Sequence, residues 1–394
     1  MSLLPITELQ AEIQATAKSF AEREIAPLAG ERDRESRFDR SMVAQLAELG
    51  FLGMMLPEEY DGLGLDANTY LLALEEIAVA DASAAVLMSV HNSLPTQMLL
   101  SYGSVAQKES FLKPMARGEW LGAFALSEPD AGSDAAALSC QAVKDGNDWL
   151  LTGTKAWVSH GGFADVILCM ARTDSADRRL GAKGISAFIL TPDLPGFAVG
   201  KKERKMGLCS SPTVSLLLDN CRVPADRMLG EVGKGFTYAL ASLDHGRLGI
   251  AAQAIGIGRA ALEAAAKYAL ERRQFDKPIA EFQAIQFKLA DMATQLTAAR
   301  TLLHAAAAAK TRGERVTRFS SMAKLFATET SMKVTTEAIQ IFGGYGYVTD
   351  YPVERFFRDA KVTEIYEGTS EVQRIVIARD VLAAAAAADG SLTN

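Results

Sequence analysis

The chain has 394 residues, 49% hydrophobic and 23% charged, which is ordinary for a globular protein of two or three domains. Its formal net charge of −7 argues against a general nucleic-acid binder, since such proteins are usually basic. The four cysteines are scattered without a CxxC pair, and no HExxH spacing occurs, so the sequence predicts neither a disulfide framework nor a metal site.

The first part of the chain has helical periodicity. From Glu8 to about Arg117 apolar residues recur at helical spacing, as at Met42 and Leu46. The glycine-rich stretch 57–64 interrupts this pattern. We therefore predict an N-terminal α-helical domain over residues 1–117.

The middle of the chain changes to short apolar runs of strand length. Residues 144–147, Lys-Asp-Gly-Asn, are a turn signal. Runs such as 166–170 and 185–190 are rich in β-branched and other apolar residues. Several such runs close together predict a β-barrel domain over residues 118–231.

After Gly235 the helical period returns and continues. One apolar seam steps by four and three residues, which is typical of a helix in a bundle. It comprises Ile285, Leu289, Met292, Leu296, Ala299 and Leu303. We predict a C-terminal four-helix bundle over residues 232–394. The predicted fold class is α+β but mostly α, in the order helical domain, β-barrel, helical bundle.

Two long motifs point to a known family. One runs from Ala125 to Asp134 and the other from Gln340 to Arg374, and both resemble the signature regions of the acyl-CoA dehydrogenase family. Shorter matches at 155–159, 243–247 and 271–275 occur in the same order. The resemblance covers about residues 5–385 and is greatest to the short-chain, butyryl-type members.

The resemblance implies an activity and a base. Family members oxidise acyl-CoA thioesters with FAD to the trans-2-enoyl-CoA, and Glu367 matches the carboxylate that removes the α-proton while flavin N5 takes the β-hydride. A partly desolvated carboxylate suits this task, and a cofactor is needed because no side chain accepts a hydride. One branch of the family places the base just before the position of Arg247, where this chain has Gly246. The alternative for Glu367 is a solvated glutamate at a helix end.

Other matches predict the FAD site. Phe124, Leu126 and Ser127 match the stretch that lines the flavin ring, and Trp157 and Ser159 match its aromatic wall and a hydroxyl near it. The matches to the phosphate and adenosine parts, some from a neighbouring subunit, are Arg272, Phe275, Gln340, Gly344, Thr369 and Glu371. The alternatives are a core aromatic for Trp157, a helix N-cap or turn for Ser127 and Thr369, and a surface salt bridge for Arg272.

The remaining matches concern the substrate. Ser133, Asp244 and Arg247 match positions that contact acyl-CoA, and Gly368 leaves room for the thioester beside the base. The backbone N–H of Glu367 is implied as a donor to the thioester carbonyl. Asp244 and Arg247 could instead form an i,i+3 ion pair on one helix face.

The resemblance also implies partners. A cofactor site shared between subunits predicts a homo-oligomer, usually a tetramer, and electron-transfer flavoprotein is the expected electron acceptor. No membrane association is expected, because no apolar run reaches the length of a span. With no secretory signal, we expect the bacterial cytoplasm, or the mitochondrial matrix for a processed form. A flavin acyl-CoA oxidase on the same fold and a non-catalytic assembly factor stay open as alternatives.

Overall fold

The computed structural model describes residues 5–174 and 180–387, and its first part is helical. Short turns of π-helix at Ala21–Ile25 and Lys108–Leu112 join two pairs of these helices. Several begin at a side chain that accepts a backbone N–H, such as Thr7, Asp66 and Asp81. The helices are α1 (Glu8–Phe20), α2 (Ala26–Glu35), α3 (Arg40–Glu48), α4 (Ala67–Ala80), α5 (Ala82–Ser93), α6 (Pro95–Tyr102), α7 (Val105–Gln107) and α8 (Lys113–Ala116).

An eight-stranded sheet follows. Its strands are β1 (Gly122–Ala125), β2 (Gln141–Asp145), β3 (Asp148–Ser159), β4 (Val166–Arg172), β5 (Ile185–Leu190), β6 (Phe197–Lys202), β7 (Thr213–Val223) and β8 (Met228–Leu229). The order is β6-β7-β3-β2-β4-β5-β8, and β1 runs parallel to β4. The predicted turn at 144–147 joins β2 to β3, with Gly146 at φ 61°. That φ suits glycine, which has no Cβ to clash.

Long helices dominate the last part. They are α9 (Gly235–Glu271), α10 (Gln283–Thr311), α11 (Thr317–Phe342), α12 (Val353–Thr363) and α13 (Ser370–Ala386), with a small hairpin of β9 (Arg273–Gln274) and β10 (Lys277–Pro278) after α9. The predicted seam lies in α10, where Met292, Leu296, Ala299 and Leu303 are buried. Ile285 and Leu289 are partly buried and pack against the core cluster that contains Met292 and Leu296.

The helical parts share cores. α4 packs against α1, α9 and α10, while α11 packs against α9, α10, α12 and α13. One core cluster contains Val86 and Val90 of α5 together with residues of α9, α11 and α12. Phe124 of β1 and Tyr366 both pack against this cluster. The segments that carry the two long motifs therefore meet at a common core.

The predicted fold class is confirmed: a helical part, a β-sheet part and a second helical part follow one another. The domain boundaries themselves stay predictions. Among the described residues, no helix combines the length and apolar character that crossing a bilayer requires.

Candidate active site

Glu367 lies in the turn between α12 and α13. Its φ is 52° and that of Gly368 is 94°, so two consecutive residues adopt the left-handed region. A non-glycine residue is uncommon there, and such strain persists only where surrounding contacts hold it. Thr369 is the N-cap of α13, because its hydroxyl accepts the Val372 N–H at 3.3 Å. The turn is therefore fixed at its exit by a cap and strained at Glu367.

The carboxylate of Glu367 is enclosed and has no partner. Both of its oxygens are shielded from solvent, and neither has a hydrogen-bond partner among the described residues. Gly246 of α9 lies directly against it: a Cβ at that position would overlap Oε2 and come within 3.2 Å of Leu94. The glycine that cannot be a base thus makes room for Glu367.

Burial dominates the ionisation of this group. Desolvation raises the pKa of Glu367 to about 7, while the charges of Lys324 and Arg247 act in the opposite direction. A carboxyl with a pKa near neutrality is divided between its acid and base forms at working pH, which is the condition for efficient proton transfer. The arrangement can therefore accept a proton from a group placed against it.

Asp244 and Arg247 form an i,i+3 ion pair on α9, which was the alternative to a contact with acyl-CoA. Asp244 also accepts the hydroxyl of Thr317 at 2.9 Å, and Arg247 reaches Ser321 at 3.3 Å. Nε of Arg247 has no partner among the described residues. Because the charge of Arg247 also acts on Glu367, the pair lies beside the carboxylate and is not an isolated surface feature.

The segment 124–127 is tied to the strand that carries Trp157. The Ala156 N–H donates to the Ser127 carbonyl at 2.9 Å. Nζ of buried Lys155 donates to the Leu126 carbonyl at 3.1 Å and to the Glu128 carboxylate at 2.7 Å. Glu128 also accepts from the backbone N–H groups of residues 139 and 140. One buried ion pair thus joins the first long motif to the Lys-Ala-Trp-Val-Ser match.

Trp157 is not a core aromatic. Its side chain is 63% exposed and its φ is 61°, at an irregularity in the β3–β7 pairing between Lys155 and Val158. Ser159 at the end of β3 is half-buried. The backbone irregularity turns a large aromatic ring away from the core, on the strand that is bonded to Ser127.

A second group of predicted residues lies at the ends of α9 and α11. Arg272 caps α9 and stacks over the Tyr345 ring at 5.4 Å, so it is not the surface salt bridge considered as its alternative. Gln340 and Gly344 are exposed nearby, and a Cβ on Gly344 would meet nothing within 4 Å. Phe275 at the tip of the β9–β10 hairpin is 86% exposed at φ 51°. Phe275, Gln340 and Gly344 are thus exposed at the surface of the chain, and Arg272 is half-buried beside Tyr345.

Two other predicted residues are exposed and make few contacts. Ser133 lies in a bend after the Glu128–Ala131 bridge. Glu371 lies in the first turn of α13, where a negative charge suits the helix dipole. Nothing in the chain itself assigns a role to either.

Sequence reasoning missed two buried residues beside the Glu367 turn. Lys324 of α11 donates to the Gly368 carbonyl at 2.6 Å. Gln373 of α13 donates to the same carbonyl at 2.9 Å. A lysine or a glutamine in a helix usually faces solvent, so only the assembled fold reveals these contacts.

The fold and the site define a helix–sheet–helix protein with an enclosed carboxylate that has no hydrogen-bond partner in the described part of the chain. Three family descriptions match in sequence: acyl-CoA dehydrogenase N-terminal domain at 7–119, middle domain at 123–221 and C-terminal domain at 233–382. The chain belongs to the acyl-CoA dehydrogenase family, and it is an oxidoreductase of that family.

Individual relatives and solved structures match the chain over nearly its whole length. The chain is 47% identical over 377 residues to the mitochondrial short-chain specific acyl-CoA dehydrogenase of Mus musculus, covering 96% of this chain and 91% of the relative. The butyryl-CoA dehydrogenase structure from Megasphaera elsdenii has a TM-score of 0.94 at 45% identity, covering 96% of this chain and 99% of that one. A chain from a study of the electron transferring flavoprotein of Acidaminococcus fermentans has a TM-score of 0.94 at 46% identity, covering 97% and 100%.

Proposed function

We propose that this protein catalyses FAD-dependent α,β-dehydrogenation of a short-chain acyl-CoA to the trans-2-enoyl-CoA, with Glu367 as the base. The observation that supports this most is the enclosed Glu367 carboxylate, which has no hydrogen-bond partner among the described residues. Its burial raises the pKa of this carboxyl to about 7. The names of the Mus musculus and Megasphaera elsdenii relatives support a short acyl chain.

The residues present fit a flavin. Members of this family are FAD-dependent. The Trp157 ring projects from an irregular strand, and the neighbouring carbonyls of Leu126 and Ser127 are fixed by hydrogen bonds. FAD, when bound, supplies the hydride acceptor that no side chain can provide. We propose that Phe124, Leu126, Ser127, Trp157 and Ser159 hold its ring system.

The rest of the cofactor is proposed to be shared between two copies of the chain. Thr369 and Glu371 lie at the start of α13, whose N-terminal dipole suits a phosphate. Arg272, Phe275, Gln340 and Gly344 are proposed to serve the cofactor of a second copy. Phe275, Gln340 and Gly344 are exposed, and half-buried Arg272 lies over the Tyr345 ring near them. This assignment requires a homo-oligomer, and we propose a tetramer.

The chain's own part in the reaction is proton transfer and positioning. Glu367 takes the α-proton, and its backbone N–H donates to the thioester carbonyl, which gains negative charge as the proton leaves. Gly368 beside it leaves space for the thioester. Asp244, Arg247 and Ser133 are proposed to contact the CoA part of the substrate.

The electron acceptor is proposed to be an electron-transfer flavoprotein. This rests on the family and on the 46% identical chain from the Acidaminococcus fermentans study. A location in the bacterial cytoplasm, or in the mitochondrial matrix for a processed form, also stays a prediction.

Anaerobic mixing tests the proposal. Purified holoenzyme is mixed with butyryl-CoA and, separately, with longer and branched acyl-CoAs, and flavin absorbance is followed. We expect rapid bleaching that is fastest with butyryl-CoA, followed by recovery when electron-transfer flavoprotein is added. Absence of bleaching with every substrate would overturn the proposal. Fast reoxidation by air with release of hydrogen peroxide would instead support an acyl-CoA oxidase.

A further inference from the structure

Lys324 is a buried cation that the proposed reaction leaves without a role. It lies in the first third of α11, near buried Ala323 and Ala327, and its side chain is fully shielded from solvent. Fully buried lysines are rare, because removing an ammonium from water is costly unless it is paired. Its position in the core therefore requires a compensating interaction.

The compensating interaction is with the Glu367 turn. Nζ of Lys324 donates a hydrogen bond to the Gly368 carbonyl at 2.6 Å. The same carbonyl accepts Nε2 of buried Gln373 at 2.9 Å, and that amide also reaches the Glu367 carbonyl at 3.4 Å. Two side chains, one from α11 and one from α13, thus hold one carbonyl.

This carbonyl belongs to the strained part of the turn. Glu367 and Gly368 have φ values of 52° and 94°, and a non-glycine residue such as Glu367 is strained in that region. Neither oxygen of the Glu367 carboxylate is held by a hydrogen bond from the described residues. The position of the carboxylate consequently depends on the backbone beneath it, and Lys324 fixes that backbone.

The charge of Lys324 also acts on the carboxylate. Burial lowers the pKa of Lys324 to about 8, against the opposing attraction of Glu367. The ionisable groups that act on Glu367 or Lys324 come from each neighbouring element. They are Tyr70 of α4, Arg247 of α9, and Glu364 and Tyr366 of the turn itself. Lys324 is the cation of this set that also bonds to the turn.

We propose that Lys324 is a positioning residue for the base: it fixes the Glu367–Gly368 turn through the Gly368 carbonyl and favours the charged form of the carboxylate. This inference rests on the proposed function of Glu367. Lys324 then has two effects, one on the geometry of the turn and one on the ionisation of the Glu367 carboxyl. Different substitutions of Lys324 separate these two effects.

The experiment compares Lys324→Gln, which can donate but has no charge, with Lys324→Arg, which keeps the charge. Lys333→Gln, on the same helix but exposed, is the matched control. In the reaction with butyryl-CoA, we expect Lys324→Gln to shift the acid limb of the kcat/KM profile to higher pH by about one unit. The reason is that the carboxylate of Glu367 loses a cation that stabilises its charged form. Lys324→Arg and Lys333→Gln should keep the acid limb of the wild-type protein. Lys324→Met should shift the limb as Lys324→Gln does and should also lower kcat about tenfold or more, because the turn loses its hydrogen bond to residue 324.

A second measurement does not need turnover. Infrared difference spectra between each holoenzyme and its Glu367→Gln counterpart report the titration of that carboxyl directly. A higher carboxyl pKa in Lys324→Gln than in Lys324→Arg supports the inference. An unchanged carboxyl titration in Lys324→Gln, or an equal shift in Lys333→Gln, would overturn it. Failure of wild-type protein to bleach with any acyl-CoA would refute the proposed function and leave the infrared result to decide the role of Lys324.

Discussion

Two buried glutamates of this chain, Glu75 in α4 and Glu367 in its turn, have opposite electrostatic environments. Glu75 is bonded to Arg259 at 2.5 Å and to Arg300 at 2.8 Å, with His304 at 4.0 Å. Burial alone would raise the pKa of Glu75, but His304, Arg259 and Arg300 together lower it to about 2. Glu367 is equally enclosed and has no such partners, and burial raises its pKa to about 7.

The contrast shows that partners, and not burial, decide what a buried carboxylate does. Glu75 joins α4 to α9 and α10 through ion pairs with Arg259 and Arg300, which favour its charged form. Glu367 lacks hydrogen bonds among the described residues, so its charged form is held only by the more distant charges of Lys324 and Arg247. An unpaired buried carboxylate is costly for stability and suited to proton transfer.

The largest expected effect is on turnover. Glu367→Gln keeps the size of the side chain and removes the base, so kcat with butyryl-CoA should fall by about 10³-fold or more. Flavin content and acyl-CoA binding should persist. The control is Glu329→Gln, an exposed glutamate of α11 paired with Arg374, which should keep turnover within about twofold. Retained turnover in Glu367→Gln would place the base elsewhere.

The same comparison predicts that removing a buried, paired carboxylate costs far more stability than removing an exposed one. Removing Glu75 leaves Arg300 without its buried partner and takes from Arg259 one of its two buried partners, the other being Glu76. Glu75→Ala should therefore lower the free energy of unfolding by about 3 kcal/mol. Glu263 also pairs with Arg259, at 3.7 Å, but is 62% exposed. Glu263→Gln should therefore change stability by only about 0.5 kcal/mol, as chemical denaturation would measure. Equal effects of the two substitutions would contradict the pairing account.

The pH dependence of stability sharpens the contrast. The folded-state pKa of Glu367 is raised, so the contribution of its ionisation to the free energy of unfolding is favourable at acid pH and is lost as pH rises through about 7. The folded-state pKa of Glu75 is lowered, so its contribution is present above its ordinary pKa and is lost as pH falls toward about 2. Relative to wild type, Glu367→Gln should thus gain more thermal stability at pH 8 than at pH 5 in calorimetry. A gain that is the same at both pH values would contradict this assignment.

Local patterns in the sequence were enough for the fold class. The α10 seam and the 144–147 turn follow from spacing and turn chemistry, since each depends on neighbours in the chain. The proposed role of Glu367 came from motif resemblance, because no local pattern distinguishes it from a solvated glutamate. The left-handed backbone of Glu367 and Trp157 and the burial of Lys324 could not be predicted, because contacts distant in sequence impose them.

The central claim is that Glu367 is an enclosed base that titrates near neutrality. The most direct measurement is the pH dependence of the second-order rate constant for anaerobic flavin reduction by butyryl-CoA, which reports ionisations of the free enzyme. We predict that the rate constant rises with pH through one ionisation near pH 7, where burial places the pKa of Glu367. A limb at the ordinary pKa of a solvated glutamate, or a limb near pH 7 that persists in the residual activity of Glu367→Gln, would contradict the account.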